Sequence, residues 1–262
     1  MEIIKSILLG IVQGLTEFLP ISSSGHLEIF KVILGFETGL NNNILFTLIL
    51  HLATSFSVVV VYWNDIKKIF KSVFSIKKDE NTYFLSLILI SIFPAGFVGF
   101  FFEEKISNLF DGNIILVGSM LLFTSIILFI SDFKIKTTNK LDYLKSFFVG
   151  VSQALAIIPG ISRSGLTICS SILMGVNREL AAKLSFLMVL PIIFGSFLKI
   201  LIFDEIIFNQ EIISLYVFGF LSAFISGIFA CKWMIVLVKK SKMKYFSVYC
   251  LTLGLICIFF NL

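Results

Sequence analysis

Charged residues are scarce in this sequence: they make up 14% of its 262 residues, against 58% hydrophobic residues. A single soluble core could not bury so much apolar surface in a chain of this length. Runs with few or no charges, such as 85–102, 114–130 and 216–238, are long enough to cross the ~30 Å hydrocarbon layer of a bilayer as helices. The composition therefore excludes a soluble globular domain and predicts an all-α integral membrane protein.

Paired cysteines are also missing. We interpret the four cysteines as small buried hydrophobic residues, because they lie in apolar stretches and none has CxxC spacing: Cys169, Cys231, Cys250 and Cys257. Neither a disulfide framework nor a zinc site is expected.

A cleavage site for a signal peptide is missing as well. Lys5 precedes the apolar run 7–15, which has the length of a signal-peptide core, but no small-residue cleavage motif follows it. Glu17 then interrupts the apolar stretch. We therefore expect this segment to remain in the mature protein.

An internal repeat organises the chain. The segment 10–27 aligns with 150–167 at a constant offset of 140, with seven identities in eighteen positions. The identical residues include glycine, glutamine and serine, which lipid-facing helices avoid. The alignment therefore indicates a duplicated half, with repeat one at 1–131 and repeat two at 141–260 of a single membrane domain, 1–262.

Each repeat begins with a segment that reads as a re-entrant hairpin. An apolar arm is followed by a break rich in Pro, Gly and Ser, and then by a short second arm, 26–34 or 166–176. Ten helical residues rise only ~15 Å, about half of the hydrocarbon layer, so the second arm cannot cross alone. Because Pro20 and Pro159 free backbone groups, we expect both breaks to face the protein interior or a wet cavity.

Three membrane spans are predicted after each hairpin. Those of repeat one are 43–63, 82–102 and 113–131, and those of repeat two are 180–203, 213–238 and 245–260. An odd number of spans between the two hairpins inverts the second copy relative to the first. Inverted repeats with broken helices build binding sites inside membranes, so we expect the hairpins to enter from opposite faces.

Positive charges are distributed unequally between the two predicted faces. Fifteen lie on one face: Lys67, Lys68, Lys71, Lys77, Lys78, Lys134, Lys136, Lys140, Lys145, Arg178, Lys183, Lys239, Lys240, Lys242 and Lys244. Four lie on the other: Lys5, Lys31, Lys105 and Lys199. The positive-inside rule makes the lysine-rich face cytoplasmic and puts both termini and the mouth of the first hairpin outside. The net charge of +5 thus reflects topology and contact with anionic membrane lipid, and no nucleic-acid partner is expected.

The first break has the composition of an anion site. Ser22, Ser23, Ser24 and Gly25 precede the second arm, where free N–H groups and the positive end of a helix dipole attract phosphate. Hydroxyl groups add donors, and glycine lets the backbone approach a ligand. The alternative for Ser22 and Ser24 is that they merely cap the arm.

Two ionisable residues lie in the first hairpin. Glu17 and His26 are costly inside a membrane, where such groups normally mark the path of a substrate or an ion. A carboxylate beside phosphate suits metal binding or proton abstraction, and an imidazole can act as nucleophile or general acid. The residues alone do not divide these roles.

Of the two breaks, only the second contains an arginine. Arg163 aligns with Ser23, and an arginine fork pairs with phosphate oxygens and stabilises a phosphoryl group in transfer. The alternative is an internal ion pair between Arg163 and Glu17. The polar and glycine residues around it are expected to contact the same anion: Ser162, Ser164, Gly165 and Thr167.

Three further polar residues lie in apolar helices. His51 has two interpretations: a hydrogen bond to backbone freed by a hairpin, which is slightly favoured, and a catalytic role. Gln13 and Gln153 occupy matched positions of the repeat. A hydrogen bond between them across the pseudo-twofold axis is one interpretation of this match.

The two breaks resemble the signature motifs of bacterial undecaprenyl-diphosphate phosphatases, the bacitracin-resistance family. The resemblance rests on the motifs at 13–26 and 159–167 and covers essentially the whole chain. It implies hydrolysis of undecaprenyl diphosphate to the monophosphate and inorganic phosphate, which recycles the lipid carrier of cell-wall synthesis. It also implies action at the outer face of the inner membrane, a divalent cation such as Mg²⁺ or Ca²⁺, and a homodimer.

The family's functional residues fall on four positions of this chain. Its catalytic acid, which may also bind the metal, falls on Glu17, its active-site serine on Ser23, its histidine on His26 and its phosphate-binding arginine on Arg163. The first motif position is often glutamate in the family and is Gln13 here, which leaves Glu17 as the main acid. Either Ser23 or His26 is then expected to attack the terminal phosphorus.

Other function classes explain parts of the pattern. Inverted repeats with broken helices also occur in transporters, so a polyprenyl-phosphate flippase or transporter is the main alternative. A structural scaffold explains Glu17, His26 and Arg163 poorly. Phosphatases of the phosphatidic-acid type need a further histidine with a partner acid, and the remaining His51 has no suitable aspartate near it.

Overall fold

The chain is helical throughout the part that the computed structural model describes, which is residues 1–36, 40–76, 79–102, 114–133, 138, 140–203 and 210–260. Repeat one contributes α1 (Glu2–Phe18), α2 (Ser23–Leu34), α3 (Leu40–Val61), α4 (Trp63–Phe74), α5 (Glu80–Phe101) and α6 (Ile114–Ser131). Repeat two contributes α7 (Tyr143–Leu155), α8 (Arg163–Leu173), α9 (Arg178–Phe203), α10 (Gln210–Lys239) and α11 (Met243–Phe260). The predicted all-α class is confirmed.

Membrane-length helices confirm a multi-pass membrane protein. By length and composition, five helices of the described ranges can cross a bilayer: Asn43–Val61, Glu80–Phe101, Ile114–Ser131, Arg178–Ile202 and Ile212–Lys239. The sixth predicted span corresponds to a shorter apolar helix, Met243–Phe259. Six predicted positions lie outside the described residues: Lys77, Lys78, Lys105, Asn113, Lys134 and Lys136.

The two hairpins have the predicted shape. Their second arms, α2 and α8, have 12 and 11 residues, or about 18 and 16 Å at 1.5 Å per residue, which is too short to cross a bilayer. Both begin three residues earlier than predicted, because Ser22 and Ser162 are the N-caps. The inversion of one repeat relative to the other stays a prediction, as does the division into repeats.

Each hairpin packs against a long helix from the other half of the chain. α1 lies along α10, and α7 lies along α5. The first contact is very close, since a Cβ atom added at Gly10 or Gly14 would lie 2.4 or 2.5 Å from a carbonyl oxygen of α10. Small residues at four-residue spacing allow such approach between membrane helices. The contact fixes the first hairpin against repeat two.

The last helix of each half supports one of the breaks. α6 and α11 pack together, and Ser125 of α6 and Ser247 of α11 exchange buried hydrogen bonds. On α6, Thr124 Oγ1 accepts a hydrogen bond from Ser162 N at 3.1 Å. On α11, the thiol of Cys250 contacts Pro20 O at 3.6 Å. The pair therefore positions both breaks from one side.

An additional helix, α4, interrupts the region predicted as the first span and the loop after it. The span was expected to end at Trp63, but α3 ends at Val61 and Trp63 begins α4. Ser72 of α4 donates a 2.7 Å hydrogen bond to Asp79, the N-cap of α5. This bond, together with N–H donors of the first turn of α5, lowers the pKa of Asp79 to about 2. α4 is thus joined to the start of α5.

Ion pairs collect at the lysine-rich end of the bundle. They join Lys183 to Asp65, Arg178 to Asp132, and Lys239 to Glu179. At the start of α1 and the end of α2, Lys5 pairs with Glu2 and Lys31 with Glu28. The lysine-rich ends of helices from both halves therefore lie together.

Candidate active site

The two breaks meet in the interior of the protein. Ser164 Oγ donates a 3.2 Å hydrogen bond to Leu19 O in the opposite break. A Cβ atom added at Gly165 would lie 3.1 Å from Cβ of Pro20, so the backbones approach where glycine allows it. The predicted convergence of one polar turn from each half is therefore present.

A serine caps the second arm of each hairpin. Ser22 Oγ accepts a hydrogen bond from Gly25 N at 3.3 Å, and Ser162 Oγ accepts one from Gly165 N at 3.1 Å. Ser22 has φ of +69°, in a region that a serine adopts only under strain. The capping role considered for Ser22 is thus present in the structure, and it orients the first turn of α2.

A polar cavity of about 170 Å³ lies between the breaks. Its polar lining includes Glu17, Ser23, His51 and Arg163. Of the other expected substrate contacts, the lining includes Ser24, Ser162 and Ser164. It does not include Ser22, Gly25, His26, Gly165 or Thr167.

Thr167 has a supporting position behind the cavity. It is fully buried, and its hydroxyl lies 2.8 Å from Arg163 O and 2.7 Å from Ser185 Oγ. This hydroxyl therefore links the start of α8 to α9. Direct contact of Thr167 with a substrate stays a prediction.

Glu17 is the centre of the site. Its Oε1 forms an ion pair with Arg163, which is the internal pair considered from the sequence. Its Oε2 accepts hydrogen bonds from Ser23 Oγ at 2.7 Å and Gln13 Nε2 at 2.8 Å, and lies 3.2 Å from His51 Nδ1. Since its side chain is only 4% exposed, these partners stabilise a carboxylate that would otherwise be costly to bury.

His26 lies beside the cavity rather than in its lining. Its Nδ1 is 2.7 Å from Ser22 O, and its Nε2 is 2.7 Å from Tyr249 Oη. A carbonyl only accepts, so Nδ1 carries the proton and Nε2 of the neutral ring accepts from the tyrosine hydroxyl. Tyr249 is a site residue that the sequence did not indicate, because it lies in an apolar helix more than 200 residues away.

The structure contradicts the slightly favoured backbone contact of His51 and the hydrogen bond considered between the two glutamines. His51 does not bond to freed hairpin backbone: its Nδ1 contacts Gln13 Nε2 at 2.9 Å and Glu17 Oε2. Gln13 and Gln153 are not bonded to each other, and in the described part of the chain neither side-chain amide atom of Gln153 has a hydrogen-bond partner. Gln13 of α1 and His51 of α3 therefore both contact Glu17.

The site fits a divalent cation held mainly by a substrate. Within the described ranges, no three His, Cys, Asp or Glu side chains gather to form a metal site. Mg²⁺ usually takes only one or two carboxylates together with substrate phosphates. Glu17 is one carboxylate, and Oε1 of Gln13 is a buried oxygen with no hydrogen-bond partner in the described structure. Together they supply hard oxygen ligands, although too few to hold a metal alone.

The start of both short arms faces the cavity. Ser23 is the first residue of α2 and Arg163 is the first residue of α8, and both line the cavity. The N–H groups and positive dipoles of two helix starts therefore add to the guanidinium charge. The arrangement suits a highly charged anion such as a diphosphate.

Comparisons with known proteins agree with this chemistry. A family model described as "Bacitracin resistance protein BacA" matches residues 6–256. Proteins named "Undecaprenyl-diphosphatase" are similar over nearly their whole length. One from Christiangramia forsetii is 48% identical over 99% of this chain and 98% of its own. One from Bacteroides fragilis is 41% identical, covering 98% of each chain, and one from Methanococcus vannielii is 41% identical, covering 98% and 99%.

Proposed function

The chain belongs to the bacitracin resistance protein BacA family, and from that premise we propose that it hydrolyses undecaprenyl diphosphate to undecaprenyl phosphate and inorganic phosphate. One observation carries the proposal at the level of the site: Glu17, Ser23 and Arg163, from two distant breaks, line one small polar cavity. The relatives named for this activity are similar along the whole chain. The hydrolysis recycles the lipid carrier of cell-wall synthesis and underlies bacitracin resistance.

Arg163 and the two helix starts bind the diphosphate. The guanidinium pairs with oxygens of the terminal phosphoryl group, and N–H groups at the starts of α2 and α8 donate to the same anion. In the structure Arg163 pairs with Glu17. Substrate therefore takes over donors that the carboxylate occupies in the free protein, which leaves Glu17 more basic when the anion is bound.

Ser23 is the nucleophile that the geometry favours. Its hydroxyl lines the cavity and donates to Glu17 Oε2, whereas both nitrogens of His26 have partners away from it. Ser23 Oγ bonds to the terminal phosphorus, its proton passes through Glu17 to the departing polyprenyl monophosphate, and the bridging P–O bond breaks. Water then attacks the phosphoserine and gives a proton to Glu17, the bond from phosphorus to Ser23 Oγ breaks, Glu17 passes that proton to Ser23 Oγ, and inorganic phosphate leaves.

A divalent cation, Mg²⁺ or Ca²⁺, belongs to this proposal. Glu17 and Oε1 of Gln13 would hold it together with the phosphates. When bound, it supplies positive charge that neutralises the diphosphate. His26 and Ser22 act indirectly, since the hydrogen bond between them supports the strained start of α2 that presents Ser23.

The cavity is placed at the outer face of the bacterial inner membrane. The lysine-rich ends of the helices gather at one end of the bundle, and the positive-inside rule assigns that end to the cytoplasm. The first hairpin then opens to the outside. The homodimer implied by the family resemblance stays a prediction.

The Glu17→Gln variant tests the activity directly. We expect about a hundredfold slower phosphate release from a short polyprenyl diphosphate in detergent, because the amide cannot take the Ser23 proton. Thermal stability, measured alongside, checks that the variant is folded. An equal rate of phosphate release in wild type and variant would rule out the proposed phosphatase activity. The flippase alternative gains no support from the comparisons, and its transport would require sealed vesicles.

His51 is expected to position Glu17, and two variants separate this role from packing. His51→Leu removes the ring nitrogen that contacts both Gln13 Nε2 and the Glu17 carboxylate, and it should lower kcat roughly tenfold with little change in KM. His51→Gln retains a polar group of similar reach and should recover most of that loss. Steady-state kinetics of both variants distinguish positioning from packing. Equal losses of kcat in the two variants would mean that His51 contributes only packing.

A further inference from the structure

An apolar groove opens on the lipid-facing side of α5 and α7. It has a volume of about 480 Å³, and its walls include Phe93 and Phe97 of α5 and Phe147 and Val151 of α7. Phe93 is 66% exposed and Phe147 is 40% exposed in the isolated protein. Side chains of this kind face acyl chains in a membrane, so the groove is open to lipid.

Two residues contribute to the walls of the groove, Ala154 on α7 and Pro94 on α5. At Gly14, α10 approaches α1 so closely that no Cβ atom would fit. The matched residue of repeat two is Ala154, which lines the groove. On the facing helix, Pro94 also lines the groove and lies inside α5, where proline removes a backbone hydrogen bond. The α5 to α7 contact is close at Gly150 and opens beyond it.

The groove adjoins the catalytic cavity. Ile157, in the second break, lines both spaces. When the diphosphate of a lipid lies against Arg163, the first atoms of its chain therefore lie beside Ile157, next to the groove. A lipid substrate must place an apolar chain somewhere, and this path leaves the polar cavity without crossing charged side chains.

We propose that the groove between α5 and α7 holds the isoprene units nearest the diphosphate and so sets how the polyprenyl chain is presented. The inference rests on the proposed function and names the tail subsite of the same site. From Phe147 to Leu155 the groove follows α7 for about 12 Å at 1.5 Å per residue. Only the first units fit, and the rest of the chain lies in lipid.

The contribution of the groove is orientation rather than burial. A prenyl chain is as well solvated by acyl chains as by phenylalanine, so little hydrophobic energy is gained. Confining the first units against Phe93 and Phe97 instead aligns the diphosphate with Ser23. The branched prenyl chain should therefore be preferred over a straight alkyl chain of equal length.

A groove-filling variant tests the proposal against a matched control. Val151→Trp places an indole in the groove, and Ile11→Trp makes the same change at the matched position of repeat one, which is exposed and lies outside the groove. For farnesyl diphosphate in mixed micelles we expect kcat to fall about five- to tenfold in Val151→Trp, with KM within about twofold of wild type, because the indole prevents the first units from aligning the diphosphate. Ile11→Trp should match wild type.

Unchanged kcat in a folded Val151→Trp protein would overturn the role of the groove and leave the hydrolase intact, because the first isoprene units would then lie in bulk lipid. Failure of the wild type to hydrolyse farnesyl diphosphate would overturn the proposed function instead. A second measurement needs no variant: farnesyl diphosphate carrying a benzophenone on its first isoprene unit should label α5 or α7 in the wild-type protein. Labelling confined to α1 or α10 would contradict the proposal.

Discussion

Ser23→Ala should lower kcat by about 10³-fold or more while leaving KM within a few fold, since loss of a covalent nucleophile removes the chemical step and not the binding of the anion. The structure provides a matched control in Ser24, which also lines the cavity but contacts Ser22 Oγ instead of the carboxylate. Ser24→Ala should cost no more than about tenfold. Phosphate release in detergent measures both.

Labelling of the phosphoenzyme decides whether serine or histidine is the nucleophile. Substrate labelled in its terminal phosphate should leave a phosphoenzyme that survives acid and is cleaved by alkali, as a phosphoserine is. A label lost in acid would identify a phosphohistidine at His26 and contradict the assignment. His26→Ala should reduce the rate less than Ser23→Ala, because the imidazole supports α2 through Ser22 and Tyr249.

The parts of the site that lie in the breaks could be predicted from the sequence. Glu17, Ser23 and Arg163 stand out because polar residues next to proline and glycine in an apolar chain need a partner inside the protein. The repeat alignment then places Arg163 opposite Ser23 without any knowledge of packing. Local sequence carries this information since the chain must leave the helix at Pro20 and Pro159.

The parts that depend on packing between distant helices could not be predicted. His51 and Tyr249 each lie in an apolar helix with no local sign of the partner they meet, and their contacts follow from which helix faces pack together. The same holds for the groove. Its walls include Ala154 of α7 and Pro94 of α5, and the space between them exists only where these two helices pack together.

Arg163→Ala should reduce kcat/KM by roughly 10³-fold, in line with the large contributions of arginines that stabilise phosphoryl transfer. Arg163→Lys should recover only part of this loss, because an ammonium group keeps the charge but lacks the planar fork. Added guanidinium chloride at low millimolar concentration should partly restore Arg163→Ala and leave wild type unchanged. No response to guanidinium would argue that the arginine acts through folding.

Thermal stability separates two roles of Arg163, which are the ion pair with Glu17 and the binding of the diphosphate. Removing its side chain leaves Glu17 buried without its ion-pair partner, and breaking such a pair costs about 3 to 5 kcal/mol. Arg163→Ala should therefore lower the melting temperature in detergent, and adding Glu17→Gln should recover most of it, since a neutral amide needs no counter-charge. The double variant should release phosphate no faster than the less active of the two single variants. If restored stability also restored phosphate release, Arg163 would be a structural partner of Glu17 and not a ligand of the diphosphate.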